Sequence, residues 1–345
     1  MLGNRLKSIL LLEKLASPNA YLKALNDYGC TKYMDYKLIS VKEGQSLDSV
    51  DLNPWGAEAE QVTSITTFWG SGPVLSKLLD VHKNVKWVNA LTAGVDRILL
   101  PPFNTYPREG LVVTNLKGVY SEALGEYAIF MMLMHEKGAM RFIKQQADGV
   151  WEKQSVGRLT GKTVAIVGFG DIGGQVALKC KEGFKMKVIG LKRDPSTVEE
   201  KYRHAVDQVL GLDKLEEALK EADYVVSVLP LVADTKHFWT YEKFCLMKPT
   251  GFFMNIGRGI NQKEEDLIRA LQEKKIAGCY LDVMEVEPLP SSSPLWKMDN
   301  VHLTPHSADH TDDMMETAMR SYLANVELFV QGKPLLNQVS RSKGY

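Results

Sequence analysis

The chain has 345 residues and is short of several things that would mark a special class of protein. Its four cysteines, Cys30, Cys180, Cys245 and Cys279, are widely spaced and contain no C-x-x-C pair. That argues against a disulfide framework or a structural zinc site, and for reduced thiols. It has no net charge, since 42 Lys and Arg face 42 Asp and Glu. No global field therefore draws it to nucleic acid or to an anionic membrane, although a local cationic site is not excluded. The apolar run Ile9–Leu12 is far too short to span a bilayer, and Glu13-Lys14 follows it at once. It lacks the apolar core and small-residue cleavage site of a signal peptide, and Glu13 weighs against an organelle presequence. The expected setting is the cytosol, with neither nucleic acid nor membrane as a partner. Internal repeats and low-complexity tracts are absent. The composition, 45% hydrophobic and 24% charged, is that of an ordinary globular protein. At about 150 residues per domain the length suggests a little over two domains, ample for cores without staples.

Short apolar runs alternate with longer amphipathic ones. In the first third the strand-like runs are Ser8–Leu12, Tyr36–Val41, Val62–Phe68, Val85–Leu91 and Leu111–Thr114. Ser17-Pro18 reads as the start of a helix that closes at Tyr28-Gly29, and Gly72-Pro73 starts another. In the middle, Thr163–Gly168, Met186–Leu191, Tyr224–Leu229, Gly251–Ile256 and Ala277–Val283 read as strands covered on both faces. Helices are expected between them at Ile172–Glu182, Asp213–Glu221, Tyr241–Cys245 and Lys263–Glu273. Longer helical patterns at Ser121–Glu136 and Asp312–Val330 flank this block. The alternation predicts α/β architecture with parallel sheets. We read a central dinucleotide-type domain, 119–307, inserted into an outer domain made of 1–118 and 308–345.

Gly168-Phe-Gly170-Asp171-Ile172-Gly173 has G-x-G-x-x-G spacing after the TVAIV strand and opens a helix. The first glycine makes a tight turn and the second lets backbone approach a pyrophosphate. The third lets the helix pack on its strand, so that helix N–H groups face the phosphates. An acid about 20 residues further on usually bonds the ribose 2′-hydroxyl of NAD. Here that place holds Lys192, followed by Arg193. A cationic pair suits a 2′-phosphate, so NADP(H) is favoured over NAD(H). The competing reading is a solvated pair, with Asp194 serving the ribose.

Asn255-Ile256-Gly257-Arg258-Gly259 lies at the C-terminal end of a predicted strand, where ligands of open α/β sheets sit. An arginine there suits a carboxylate, although it also suits tying down its own loop. Asp282-Val-Met-Glu285-Val-Glu287-Pro288 places three carboxylates at the end of the next strand, some of which must be solvated or local caps. His306, in Leu303-Thr-Pro-His-Ser307, is suited to proton transfer near neutral pH. His302, His306 and His310 have the four-residue spacing of helical metal ligands, but Pro305 breaks such a helix, so no metal is expected.

Taken in order, GFGDIG, NIGRG, DVMEVEP and TPH resemble the D-isomer-specific 2-hydroxyacid dehydrogenase family over nearly the whole chain. Leu91-Thr-Ala-Gly-Val-Asp96 looks like its substrate loop, and Gly118-Val-Tyr-Ser-Glu-Ala123 like the start of its interdomain helix. The resemblance implies a Rossmann-type doubly wound sheet inserted into a flavodoxin-like α/β domain, with the active site in the cleft. It implies that Arg258 grips a 2-oxo acid, that His306 donates a proton to the carbonyl oxygen, and that Glu287 supports that histidine. It assigns Asp282 to the nicotinamide carboxamide, and Leu229, Pro230, Ile256 and Ala308 to the cofactor beside the glycine loop. Backbone N–H groups near Ala93, Gly94 and Val95 are assigned to the substrate carboxylate. A homodimer formed through the central domains is implied as well. Lys192-Arg193 departs from the family's usual acid, and Ser307-Ala308-Asp309-His310 is more polar than its usual small residues. The expected activity is NADP(H)-linked reduction of a small 2-oxo acid such as glyoxylate or hydroxypyruvate. A dinucleotide-sensing protein like the C-terminal-binding corepressors shares these motifs. A methyltransferase would need an acid near position 192, where the chain has a cation.

Overall fold

The computed structural model describes residues 5–13 and 19–344. The expected helix start at Ser17-Pro18 lies outside the described residues. Two compact units divide the chain: Met1–Val119 with Asp312–Tyr345, and Tyr120–Thr311. The second is thus inserted in the first, with divisions at 119/120 and 311/312 against the expected 118/119 and 307/308.

The first unit holds a five-stranded sheet of β1 (Leu6–Glu13), β2 (Met34–Val41), β3 (Val62–Phe68), β4 (Trp87–Ala90) and β5 (Val112–Thr114). Every pairing is parallel and the order is β2-β1-β3-β4-β5. That is the flavodoxin-type order, which the sequence led us to expect. The continuous run Ile9–Leu12 is buried because helices cover such a sheet on both faces. Among the described residues three α-helices belong to it: α1 (Asn19–Asp27), α2 (Gly72–Val81) and, from the far end of the chain, a helix over Met314–Val330. The last of these is anchored on the sheet by Tyr322, whose hydroxyl accepts a 2.7 Å bond from Thr66 Oγ1, and by Tyr322 and Phe329 against Trp87.

The second unit starts with α3 (Ser121–Glu136), which matches the predicted range, and α4 (Ala139–Ala147), which was not predicted. Its seven strands are β6 (Thr163–Val167), β7 (Lys187–Leu191), β8 (Gln208–Leu210), β9 (Tyr224–Ser227), β10 (Phe252–Asn255), β11 (Gly278–Leu281) and β12 (Val301–Leu303). They run parallel in the order β12-β11-β10-β9-β6-β7-β8, the doubly wound arrangement extended by one strand. The chain reverses direction across the sheet between β6 and β9, and ligands bind beyond the strand ends at such a point. Helices α5 (Asp171–Leu178), α6 (Leu215–Glu221), α7 (Tyr241–Cys245) and α8 (Glu264–Gln272) connect the strands, and Met314–Val330 of the first unit is α9. Trp239, Phe244, Phe253, Leu267 and Leu271 fill the core on one face. Met131 and Met132 of α3 are buried, so these methionines are core. Helix α5 ends at Leu178, short of the predicted Glu182, because residues Lys179–Gly183 wind more loosely as a π-turn.

Candidate active site

Four loops at the C-terminal edge of the second sheet, after β6, β9, β10 and β11, approach one another so closely that glycine is required at each crossing. Gly168, after β6, has φ +102°, and a Cβ there would lie 2.5 Å from the Val228 carbonyl oxygen. Gly257, after β10, rests on the Leu229 backbone, and a Cβ on Gly259 would lie 1.8 Å from the Met284 carbonyl oxygen. Leu229 therefore lies against both Gly168 and Gly257, with Pro230 and Ile256 as their chain neighbours.

The glycine loop fits a dinucleotide pyrophosphate. A Cβ on Gly170 would meet nothing within 4 Å, so its backbone stays open to a ligand at the start of α5. A Cβ on Gly173 would strike the Gly168 carbonyl at 2.8 Å, so this glycine lets the helix close on its strand. Ile172 follows in the first turn of α5. Asp171 is engaged within the unit: Lys201 Nζ donates to it at 2.6 Å and the Tyr202 hydroxyl at 2.9 Å. Burial pushes its carboxyl up, but Lys201, Ser121 and Tyr202 more than offset that, and it lies below the usual carboxylate range.

After β7, Lys192 Nζ donates to the Thr197 carbonyl at 2.7 Å and Arg193 Nη2 to Asp234 at 3.2 Å. Asp194 Oδ1 caps the same loop, accepting from the Ser196 amide at 3.0 Å and hydroxyl at 2.6 Å. That acid is used locally, as an Asx turn.

The three carboxylates of the segment after β11 have three separate duties. Asp282 is buried and caps the turn that follows β12: Oδ1 accepts from the Thr304 hydroxyl at 2.5 Å and from the amides of Ser307 and Ala308 at 3.0 and 3.2 Å. Glu285 joins His237 Nε2 at 2.7 Å and accepts from the Glu264 amide at 2.9 Å, so it caps α8. Sequence reading missed the His237–Glu285 pair, whose partners are 48 residues apart. Glu287 accepts from the Met284 amide at 2.9 Å through Oε1, and its Oε2 lies 2.8 Å from His306 Nδ1.

His306 is held through both its backbone and its ring. Its backbone has φ +50°, a left-handed conformation uncommon for residues other than glycine. The amide donates to the Asp282 carbonyl at 2.8 Å, and the Asp282 carboxylate holds the next two amides. With Nδ1 committed to Glu287, Nε2 is the nitrogen left for chemistry. The hydrogen bond to Glu287 raises the imidazole pKa above its ordinary 6.5, against burial and the Arg258 charge. Burial raises Glu287, yet His306, the Met284 amide and Arg258 together carry it below its ordinary 4.5. Arg258 is thus close enough for its charge to act on both partners, while its Nη1 donates to the Gly257 carbonyl at 3.0 Å. Both readings of that arginine, ligand grip and loop tie, have a physical basis. Asp309, raised by burial, also feels the charge of His306.

His302 lies on β12, His306 in the left-handed turn and His310 beyond it, so no helix aligns them as metal ligands. In the first unit, Ala93, Gly94 and Val95 follow β4. The Thr92 hydroxyl donates to the Gly94 carbonyl at 2.7 Å and Asn115 Nδ2 to the Ala93 carbonyl at 2.6 Å.

A doubly wound sheet with a glycine cradle and a histidine–carboxylate pair defines a dinucleotide-linked oxidoreductase. Residues 129–308 match the model of the D-isomer specific 2-hydroxyacid dehydrogenase, NAD binding domain. The chain is 34% identical over 237 residues to the glyoxylate reductase of Pyrococcus furiosus, spanning 66% of this chain and 68% of that one. It is 32% identical over 306 residues to the glyoxylate reductase of Pyrococcus horikoshii, 83% and 88% of the two chains. The crystal structure of a D-isomer specific 2-hydroxyacid dehydrogenase from Xanthobacter autotrophicus, in complex with NADPH and MES, superposes with a TM-score of 0.78 at 28% identity over 98% and 99% of the chains. The chain belongs to the D-isomer-specific 2-hydroxyacid dehydrogenase family and is an NAD(P)-dependent oxidoreductase.

Proposed function

We propose that the protein reduces small 2-oxo acids such as glyoxylate or hydroxypyruvate to the corresponding 2-hydroxy acids, of D configuration where the product is chiral, with NADPH. The observation that carries this is the His306–Glu287 pair at 2.8 Å, within reach of the Arg258 charge. The bound dinucleotide supplies a hydride from C4 of its nicotinamide ring. Arg258 holds the substrate carboxylate and polarises the carbonyl. His306, protonated because Glu287 favours the imidazolium, gives a proton from Nε2 to the carbonyl oxygen as its negative charge develops. Glu287 fixes the ring and balances the imidazolium, and Asp282 holds the turn that aims it. Lys192 and Arg193 favour NADPH, since they stand where an acid would bond a free ribose and Asp194 is occupied with its own loop.

A second copy of the chain is the proposed partner. Phe130, Met140, Ile143, Val150 and Trp151 are exposed on α3, α4 and the segment that follows, and Trp151 is 96% exposed. Such an apolar patch on one unit suits a homodimer. Among the described residues all four cysteines are free, which suits the reducing cytosol.

The test is oxidation of NADPH and NADH, followed at 340 nm, with a panel of 2-oxo acids. Turnover with glyoxylate or hydroxypyruvate and a preference for NADPH are expected. Tight dinucleotide binding without turnover of any acid contradicts the reading and favours a dinucleotide sensor.

A further inference from the structure

The Arg258 turn is fixed from behind by side chains that touch neither substrate nor cofactor in the reading above. Asn255, at the end of β10, is fully buried, and its amide is oriented by two backbone partners. Oδ1 accepts from the Gly257 amide at 3.0 Å, and Nδ2 donates to the Arg258 carbonyl at 3.0 Å. One donor and one acceptor leave only one orientation of the amide that satisfies both. The same Nδ2 donates to Gln262 Oε1 at 3.0 Å. Gln262 is also fully buried, as is its neighbour Asn261.

Beyond Arg258 the chain is zipped to the segment after β9. His237 N donates to the Ile260 carbonyl at 2.8 Å, Trp239 N to the Asn261 carbonyl at 2.8 Å and Lys263 N to the Trp239 carbonyl at 2.9 Å. Asn261 Nδ2 adds a bond to the Thr235 carbonyl at 2.9 Å. Gln262 joins this zipper to Asn255, and so to the turn carrying the arginine. Two amides buried at no exposure are costly unless their bonds are made, and among the described residues Gln262 Nε2 has no partner. An apolar side chain would fill the same space without that cost. The bond made by Oε1 is therefore the feature to explain, and it leads to Arg258.

We propose that Gln262, acting through Asn255, is a positioning residue that holds the Arg258 turn in the geometry needed to grip a 2-oxo acid carboxylate. This rests on the reading of Arg258 given above. A looser turn leaves the arginine in place but spreads its guanidinium over more orientations. Carboxylate binding then falls, while the phosphates and ribose of the dinucleotide, held by the loops after β6 and β7, keep the cofactor affinity near its parent value.

The test uses the full-length enzyme loaded with NADPH and oxamate, an unreactive isostere of a 2-oxo acid. Gln262→Met keeps the volume and removes the acceptor. It is expected to raise the oxamate Ki and the KM for glyoxylate about tenfold, with the NADPH Kd changed by less than about twofold. In an Arg258→Lys background, which itself raises the Ki, Gln262→Met is expected to add less than about twofold, because residues acting through one another are not additive. An unchanged Ki with a lower melting temperature, or a full additional loss in the Arg258→Lys background, overturns the proposal and leaves Gln262 a residue of stability alone. If Arg258→Lys leaves the Ki unchanged, the assignment of Arg258 fails, and this inference with it. Should Gln262→Met not fold, the isostere Asn255→Asp replaces both donated bonds by oxygen–oxygen contacts. It must raise the Ki likewise, and an unchanged Ki overturns the proposal.

Discussion

His306 and Glu287 shift each other's protonation in opposite directions, which makes their pairing testable by pH. Stability from the raised histidine is fully present below its ordinary 6.5 and is lost as pH rises through its folded value. Stability from the depressed glutamate is present above its ordinary 4.5 and is lost as pH falls through its folded value. The pair stabilises most between those two values, so Glu287→Gln is expected to lower the melting temperature more at about pH 5.5 than at about pH 9. The same substitution removes the hydrogen bond that raises His306. Arg258 then still opposes the imidazolium, while Asp282 and Asp309 are the remaining carboxyl groups near it. The alkaline fall in the rate of 2-oxo acid reduction is expected to move to lower pH, and an unmoved limb would remove Glu287 from its role. At the other end of the site, Arg193→Ala is expected to raise the KM for NADPH about tenfold and to leave that for NADH near its parent value. Equal loss with both cofactors would show that Arg193, which reaches Asp234, serves the loop.

Between elements, backbone contact links the arginine turn to the glutamate. Gly259 lies against Met284, and the Met284 amide is the group that holds Glu287 Oε1. A methyl group 1.8 Å from a carbonyl oxygen cannot be relieved by rotating a side chain. Gly259→Ala is expected to cost about 3 kcal/mol or more of stability, read by denaturant unfolding, and to lower kcat even where the protein stays folded. Such elements were legible to differing degrees. Continuous apolar runs marked nearly every strand, and the glycine spacing placed the cofactor loop, because both are local signals. Arg258, Glu287 and His306 were legible through the order of their motifs. Helix α4 was not, although Met140, Ile143 and Ala147 recur at helical spacing, because nine residues show too little of a period to stand apart from the longer α3 before it. Strand β8 has three residues at the sheet edge, too few to show a period. The duties of Asp171, Asn255 and Gln262 escaped because each depends on burial and on partners that only the fold brings near. Likewise Asp282, Glu285 and Glu287 lie within six positions, yet Asp282 and Glu287 hold the His306 turn while Glu285 pairs with His237.

At the scale of the whole molecule, the zero net charge of the chain conceals a local use of charge. The charge of Arg258 acts on the His306–Glu287 pair, and Lys192 and Arg193 stand just after β7. The exposed Trp151 and Ile143 give the predicted homodimer its own test. The double variant Ile143→Glu with Trp151→Glu is expected to sediment as a folded monomer where the parent sediments as a dimer, and an unchanged mass would place the interface elsewhere. The central claim is that one histidine gives the proton while the dinucleotide is held independently of it. It is tested most directly by rapidly mixing the enzyme, preloaded with NADPH, with saturating glyoxylate or hydroxypyruvate and following the first turnover. The account predicts that His306→Ala binds NADPH with an affinity within about twofold of the parent and oxidises it about a hundredfold to ten-thousandfold more slowly. A first turnover at the parent rate would contradict it.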